Sequence, residues 1–221
     1  YIADYPIYGM TANINAFALG AKMIDPEVKV YLEWSTLKDS DPYENLKKNE
    51  IVIISDKEMI NPSDSSREFG LYAEKDGLKT NLAMPIWHWG VFYERIIRSI
   101  LSGAWKADGE TDDLQAVNYW WGMSAGTIDL IYSEKIPSGT LHLLHVLKEA
   151  ICRNAFVPFS GPLFDQDNAL RCKEKEIMPP EDVIVMDWLA DNVVGRIPTL
   201  DELVEDARKV AVHYGITPDN N

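Results

Sequence analysis

Short apolar runs alternate with amphipathic segments along the chain, which is the pattern of an α/β protein. The chain opens on the apolar residues 1–3, and runs rich in β-branched residues follow at 28–32 and 51–54. Polar turns bound each run, as they bound buried parallel strands. We therefore predict an α/β fold with a three-layer arrangement, in which helices flank a parallel sheet.

The same pattern predicts the remaining elements. Strands are predicted at 69–73, 81–86 and 127–131, with a turn at Asp76-Gly77 between the first two. A hairpin is predicted at 156–173, with strands at 157–159 and 169–171 and a turn at 165–168. Helices are predicted at 13–22, 42–48, 91–101, 138–153, 179–191 and 200–214. Ser138 or Thr140 is expected to cap the fourth helix and Thr199 the last, because hydroxyl side chains bind the free N–H groups at a helix start. Residues 107–118 are acidic and are predicted to form a surface loop.

Composition excludes several classes of protein. The 221 residues are 46% hydrophobic, which is enough for one large α/β unit or two smaller lobes. A net charge of -14, from 35 acidic and 21 basic residues, opposes binding to nucleic acids and to anionic membranes. No apolar run approaches the roughly 20 residues of a membrane span. A neutral or cationic partner is easier to accommodate.

Cys152 and Cys172 are the only cysteines in the sequence. They either form one disulfide bridge in an oxidising compartment or remain two buried thiols. His142 and His145 lie three residues apart on a predicted helix, but no carboxylate or cysteine follows at a metal-binding spacing. The sequence also contains no phosphate loop, dinucleotide fingerprint or nucleophile elbow. We therefore predict no metal, no cofactor and no catalysis.

Polar and aromatic residues follow the first three predicted strands, where open α/β sheets bind their ligands. Tyr8, Asn13 and Asn15 come after the first strand, Trp34 after the second and Asp56 after the third. Amide side chains and free N–H groups at a helix start can hold a small polar ligand, and Asp56 can accept hydrogen bonds from it. The alternative is structural, with capping by the asparagines and Asp56 and packing by Tyr8.

Trp87, His88 and Trp89 stand at the end of an apolar segment. In an extended chain the two indoles share one face and His88 lies on the opposite one. Aromatic faces suit a flat heterocycle, and stacking adds about 0.5–1.5 kcal/mol beyond burial. These three residues are therefore candidate ligand contacts, with core or hinge packing as the alternative.

Several longer motifs occur in order between Tyr1 and Pro198. They are residues 13–26, Trp87-His88-Trp89-Gly90 with Tyr93, Gly103-Ala104-Trp105, Tyr119-Trp120-Trp121-Gly122, Phe159-Ser160-Gly161-Pro162 with Asp165-Gln166-Asp167, and Met186-Asp187-Trp188 ending at Gly195-Arg196-Ile197-Pro198. In these motifs and in their order the chain resembles the basic membrane protein family of substrate-binding lipoproteins, which includes the purine-nucleoside receptors of ABC importers.

The resemblance implies a periplasmic-binding type I fold, in which two α/β lobes close like a hinge on a ligand in the cleft between them. It assigns 1–83 and 137–178 mainly to the second lobe, 84–136 to the crossover and part of the first lobe, and 179–221 to C-terminal helices. The early half of the first lobe would then precede Tyr1. The chain is therefore expected to be a C-terminal fragment of a longer protein.

The resemblance also implies a function. The chain would be the extracytoplasmic component of an ABC importer, belonging to a membrane-anchored lipoprotein whose anchor is not in this sequence, and the transporter permease would be its partner. Asn13 stands where the nucleoside receptors have an aromatic residue, and their Gly-x-Asp motif is absent between Ile60 and Thr80. The Trp-x-Trp-Gly motif is closer to branches that bind a nucleobase or another small heterocycle. The expected ligand is a nucleobase or a nucleoside-like compound.

Other functions fit the same residues. A ligand-sensing domain of a signalling receptor would use this fold to shift an equilibrium between open and closed forms. A small α/β hydrolase would need Glu33 and Asp56 as carboxylates about 5–10 Å apart across a pocket. A chain without half a lobe would also expose an apolar surface, and a homodimer through this surface, including Trp120, is a further expectation.

Overall fold

The computed structural model describes residues 1–56, 70–103 and 121–214. The chain forms two compact units. Unit 1 contains Tyr1–Asn81 and Val157–Asn221, and unit 2 contains Leu82–Phe156. The loop predicted at 107–118 and the Trp120 of the expected dimer surface lie outside the described residues. The assignment of segments to the lobes of a binding protein stays a prediction.

Both units combine helices with strands, so the predicted α/β class is confirmed. The strands are β1 (Ile2–Ala3), β2 (Val30–Tyr31), β3 (Glu33–Trp34), β4 (Ile53–Ser55), β5 (Leu71–Lys75), β6 (Leu78–Trp87), β7 (Ile128–Tyr132), β8 (Leu163–Phe164), β9 (Leu170–Cys172) and β10 (Val193–Val194). The helices are α1 (Met10–Ile24), α2 (Pro42–Lys48), α3 (Trp89–Leu101), α4 (Ser138–Cys152), α5 (Pro180–Ile184) and α6 (Glu205–His213). Short 3-10 turns occur at Met123–Ala125 and Leu200–Glu202.

Strand pairing in unit 1 is mixed. β1 pairs in parallel with β3, and β2 pairs in parallel with β10. The run predicted as a parallel strand at 51–54 is β4, which pairs antiparallel with β5 and places Ile54 opposite Tyr72. The prediction of parallel pairing is wrong for this strand, because an apolar run indicates a strand but not the direction of the neighbouring strand.

Two hairpins follow their sequence signals. Asp76 and Gly77 connect β5 to β6 with positive φ angles of 52° and 75°, as a two-residue hairpin turn requires. β6 continues into unit 2 and pairs there antiparallel with β7. The hairpin predicted at 156–173 is present as β8 and β9, with Leu163 opposite Cys172, but its first strand lies at Leu163–Phe164 and not at 157–159. The thiols of Cys152 and Cys172 are both free.

Two helix predictions are wrong. α4 begins at Ser138, but Pro137 occupies the cap position and neither Ser138 nor Thr140 caps the helix with its side chain. α5 ends at Ile184 instead of continuing to residue 191. Buried side chains among residues 186–190 pack into the core of unit 1 instead of extending a surface helix.

The core of unit 1 lies between α1 and the strands β2, β3 and β10. Its buried members are Ala3, Ile14, Ala18, Val30, Leu32, Trp34, Leu189, Ala190 and Val193. Unit 2 is different. Among its described residues only Thr127 is buried, and neither α3 nor α4 contains a buried residue. The apolar side chains described in unit 2 are therefore all partly or fully accessible to solvent.

The predicted cap at Thr199 is confirmed, although it begins a 3-10 turn and not a continuous helix. The carboxylate of Glu202 accepts hydrogen bonds from the Arg196 guanidinium (2.6 Å) and from the Thr199 N–H group (2.9 Å). These contacts lower the pKa of Glu202 from 4.5 to about 2. The unfolded chain therefore binds this proton at a higher pH than the folded chain does. This contribution to stability is present above about pH 4.5 and is lost as the pH falls toward 2.

Glu202→Gln is expected to flatten the decline of the unfolding temperature between pH 4.5 and pH 2, because glutamine does not titrate. Calorimetric scans over the part of this range in which the chain is folded measure the slope. The control is Glu205→Gln, which removes an exposed carboxylate that pairs with Lys209. An equal decline in Glu202→Gln and in the unmodified chain would contradict the prediction.

Candidate functional site

Polar residues directly follow three strands of unit 1. Asp4 follows β1, Ser35 follows β3 and Asp56 follows β4. Because β1 and β3 are parallel, Asp4 and Ser35 lie at the same edge, and the Ser35 hydroxyl donates to the Asp4 carboxylate. The charges of Asp4 and Asp56 both act on the Tyr43 phenol. We call Asp4, Ser35, Tyr43, Asp56 and Tyr72 the edge cluster.

Asp56 is the buried carboxylate of this cluster, with 6% of its surface exposed. The Tyr43 hydroxyl donates to its Oδ2 atom over 2.6 Å. Asp41 positions Tyr43, because its side chain accepts from the Tyr43 and Glu44 N–H groups and so caps α2. Within the part of the chain that the structure describes, the Oδ1 atom of Asp56 has no hydrogen-bond donor. This atom can accept a hydrogen bond from another molecule.

Tyr72 lies on β5 and is completely buried. Its hydroxyl has no hydrogen-bond partner among the described residues. Burial, followed by the charge of Asp56, raises the pKa of the Tyr72 phenol. Burial, followed by the hydrogen bond to Asp56, raises the pKa of Tyr43 in the same way. Both phenols therefore remain hydrogen-bond donors, and the cluster combines a carboxylate acceptor with a phenol donor.

The other site residues predicted in unit 1 lie in different surroundings. Tyr8 and Asn13 are exposed. Asn15 is fully buried, and its amide donates to the Trp188 carbonyl and accepts from the Ala190 N–H group. The buried indole of Trp34 donates to the Arg196 carbonyl over 2.8 Å. The polar atoms of Asn15 and Trp34 are thus bound within the protein. A ligand-binding role for any of these four residues stays a prediction.

The three site residues predicted in unit 2 follow one another at the end of β6. Trp87 is half-buried on the strand, and His88 and Trp89 are exposed. The chain does not continue as a strand, because Trp89 is the first residue of α3. The expectation that the two indoles share one face of an extended segment therefore does not apply. The ring of Trp89 packs edge-on against Phe92 at 5.8 Å.

An ionic group lies beside His88 in unit 2. Lys148 donates a hydrogen bond to Asp129, and the His88 Nε2 atom is 4.0 Å from the Asp129 Oδ2 atom. The hydrogen bond from Lys148 lowers the pKa of Asp129. The His88 N–H group donates to the Thr127 carbonyl over 2.8 Å, which fixes the end of β6 beside the start of β7. A ligand-binding role for Trp87, His88 or Trp89 stays a prediction.

Comparison with known proteins places these observations in context. No protein-family model matches the chain. The chain is 23% identical over 212 residues to a purine-binding protein of Brucella abortus, a match that covers 90% of the chain and 58% of that protein. It is 26% identical over 139 residues to a protein of Haloferax volcanii that is provisionally named as an ABC transporter glucose-binding protein. That match covers 57% of the chain and 33% of the relative.

The chain is a relative of known substrate-binding proteins. The resemblance stated from the sequence motifs is confirmed at this level. The chain spans 58% of the length of the Brucella protein. The relatives are named for different ligands, a purine and glucose, and what their names share is the binding of a small molecule.

Unit 1 also contains a polar recess away from the edge cluster. A recess of about 240 Å³ in unit 1 is lined by Asp165, Gln166, Asp167, Arg171, Asp187, Trp188, Leu189, Arg196 and Ile197. Arg171 donates to Asp165 and Arg196 donates to Glu202, whereas the carboxylates of Asp167 and Asp187 form no ion pair with the described residues. The described residues include no group of three or more side chains arranged to hold a metal ion. They also include no helix with the length and apolar character to cross a membrane.

Sequence reasoning missed Tyr43, Tyr72 and Asp129. Asp129 has a visible signal, because it is a lone carboxylate within the apolar strand at 127–131. Tyr43 begins a predicted helix and Tyr72 belongs to a predicted strand. Neither pattern indicates that both residues contact or neighbour Asp56.

Proposed function

We propose that the chain is the ligand-binding part of an extracytoplasmic substrate-binding protein of an ABC importer, and that its ligand is a nucleobase or a nucleoside-like heterocycle. The names of its relatives support small-molecule binding and a transporter partner. The observation that carries the proposal is the edge cluster, where the buried Asp56 lies near the Tyr72 hydroxyl, which has no hydrogen-bond partner among the described residues. In this proposal the protein is also anchored to the membrane as a lipoprotein.

The edge cluster fits a ligand that both donates and accepts hydrogen bonds. Burying a carboxylate is unfavourable unless donors surround it, and Tyr43 supplies Asp56 with one. A ligand N–H group would supply another at the Oδ1 atom. A neighbouring carbonyl or ring nitrogen of the ligand would accept from the buried Tyr72 hydroxyl, provided that binding displaces the side chains that cover it. Adjacent donors and acceptors on a flat ring are the recognition edge of a nucleobase.

The hydrogen bonding of Glu33 favours ligand binding by this chain over catalysis. A glycosidase or hydrolase needs a second carboxylate that is free to act on the substrate. The Glu33 carboxylate, which the hydrolase alternative requires, accepts a hydrogen bond from the Asn45 amide over 3.0 Å. The relatives are named as binding proteins. We therefore propose that Asp56 orients the ligand and transfers no proton.

Tyr72→Phe tests this site with little risk to the fold, because the hydroxyl that it removes has no partner among the described residues. Ligands are first found by a thermal-shift screen of nucleobases, nucleosides, amino acids and sugars, since a bound ligand raises the unfolding temperature by mass action. We expect one nucleobase or nucleoside class to bind. In Tyr72→Phe its affinity should fall about 3- to 10-fold, the effect of one hydrogen bond.

Tyr132→Phe is the matched control, because it removes a phenol hydroxyl of unit 2 that is also buried and also has no partner within the described part of the chain. It should leave the affinity unchanged, and Asp56→Asn should weaken binding more than Tyr72→Phe does. Titration calorimetry of the three variants gives the ranking. Unchanged affinity in both Tyr72→Phe and Asp56→Asn would remove the edge cluster from the site. A screen in which only sugars or amino acids bind would overturn the proposed ligand class.

A further inference from the structure

We propose that two copies of this chain associate through the outer face of α3 in unit 2. The face carries Trp89, Tyr93, Ile97, Ile100 and Leu101, each between 51% and 81% exposed. At 3.6 residues per turn these positions fall on one side of the helix and form a continuous apolar stripe. We call these five residues the α3 stripe.

The other described residues of unit 2 are also poorly buried. Among the described residues of unit 2 only Thr127 is buried, so these residues do not form the enclosed apolar centre that an α/β layer normally has. Scattered exposed apolar residues need no explanation, but a contiguous patch of large side chains marks a surface that another molecule covers. The stripe is therefore expected to be an interface.

The charges beside the stripe indicate what covers it. Glu94 and Arg98 lie along one border of the stripe and pair with each other over 2.8 Å. When two copies of a helix pack antiparallel about a two-fold axis, equal borders face each other. Glu94 of each copy then lies near Arg98 of the other, and the border is complementary to itself. The charges along this border therefore favour a second copy of the chain as the molecule that covers the stripe.

The overall charge of the chain agrees with a second copy as the partner of the α3 stripe. The net charge of -14 makes most surfaces of two copies repel each other and opposes binding to anionic lipid. α3 itself has one acidic residue, Glu94, and two basic residues, Arg95 and Arg98. The acidic excess therefore lies elsewhere, and α3 is a place where copies can meet without repulsion. A pair of single helices is smaller than a standard interface, so we expect a dissociation constant on the order of micromolar.

Analytical ultracentrifugation of the chain over about 1 to 100 μM tests the proposal, since this range brackets a micromolar dissociation constant. The sedimentation coefficient should rise toward that of a dimer with concentration. Ile97→Asp should remain a monomer throughout, because it buries a charge in the interface. The control Leu78→Asp changes an equally exposed apolar residue of unit 1 and should dimerise normally.

A charge exchange makes the test specific to antiparallel pairing. Glu94→Arg should weaken the dimer, because it places arginines opposite each other across the two-fold axis. The double variant Glu94→Arg with Arg98→Glu restores complementarity and should recover most of the affinity. A monomer at every concentration overturns the proposal. It is also overturned if Leu78→Asp dissociates the dimer as well as Ile97→Asp does, or if the double variant fails to recover.

Discussion

Asn15→Leu is expected to destabilise unit 1 by about 3 kcal/mol, since it leaves buried backbone groups without hydrogen-bond partners. The Asn15 amide donates to the Trp188 carbonyl (2.8 Å) and accepts from the Ala190 N–H group (2.8 Å). Leucine has a similar size but can satisfy neither group. The helix α1 would lose its polar link to the segment at 186–190. Urea unfolding followed by circular dichroism measures the loss.

Asn13→Leu is the matched control for this substitution. Asn13 lies on the same helix and is exposed, so the same chemical change removes no buried hydrogen bond. We expect its effect on the free energy of unfolding to stay within about 0.5 kcal/mol. Equal effects of the two substitutions would show that the buried amide does not hold α1 to this segment. The result also bears on function, because a stability loss in Asn15→Leu has to be separated from any loss of ligand binding.

Gly161→Ala is expected to cost about 3 kcal/mol through steric conflict. A Cβ atom at this position would lie 2.0 Å from the Lys173 carbonyl oxygen and 2.7 Å from the Cys172 carbonyl oxygen. Both atoms belong to backbone, which cannot rotate away as a side chain can. The segment would have to separate from the end of β9 and lose the hydrogen bond from the Gly161 N–H group to the Glu176 carbonyl. Thermal and urea unfolding measure the expected loss.

Gly20→Ala provides a control of opposite sign. Gly20 lies within α1, and a Cβ atom there would meet no atom within 4 Å. Alanine favours the helix over glycine, so this variant should be stabilised by about 0.5–1 kcal/mol. An unaffected Gly161→Ala would contradict the close approach assigned to residue 161, and a destabilised Gly20→Ala would contradict the open position assigned to residue 20. The pair compares the same chemical change in an open and in a closed position.

The local parts of the fold were predictable. The periodic apolar residues of α3 indicate a helix at 91–101, and the structure has one at Trp89–Leu101. The Asp76-Gly77 turn and the Thr199 capping box are also local signals that the structure confirms. In each case the residues that determine the structure lie within a few positions of one another, so the sequence pattern alone is sufficient to predict it.

The errors occur where distant residues decide the outcome. The apolar run at 51–54 indicates the strand β4, but only Ile54 of this run is buried, and the position of β5 makes the pairing antiparallel. Residues 186–190 leave α5 because their apolar side chains complete the core formed by α1 and the strands. Tertiary burial outweighs helix propensity there, since burying one large apolar side chain is worth about 1.5–3 kcal/mol and propensity only tenths.

The candidate site shows the same division. The position of Asp56 after an apolar strand marked it as a candidate from the sequence alone. Its surroundings could not be predicted, because Tyr43 reaches it from α2 and Tyr72 neighbours it from β5. Asn15 was selected by the same reasoning, yet its amide binds residues more than 170 positions away. Whether a polar side chain faces a ligand or the protein depends on such contacts.

The sequence by itself determined the α/β class, the positions of most helices and strands, and the relation to substrate-binding proteins. These follow from apolar periodicity, turn residues and motif order, which are properties of neighbouring residues. Only the tertiary structure decided the direction of strand pairing, the burial of Asn15, the grouping of Asp56 with two tyrosines and the exposure of the α3 stripe. Each of these depends on residues that are far apart in the chain, and the contacts that bring them together leave no local pattern in the sequence.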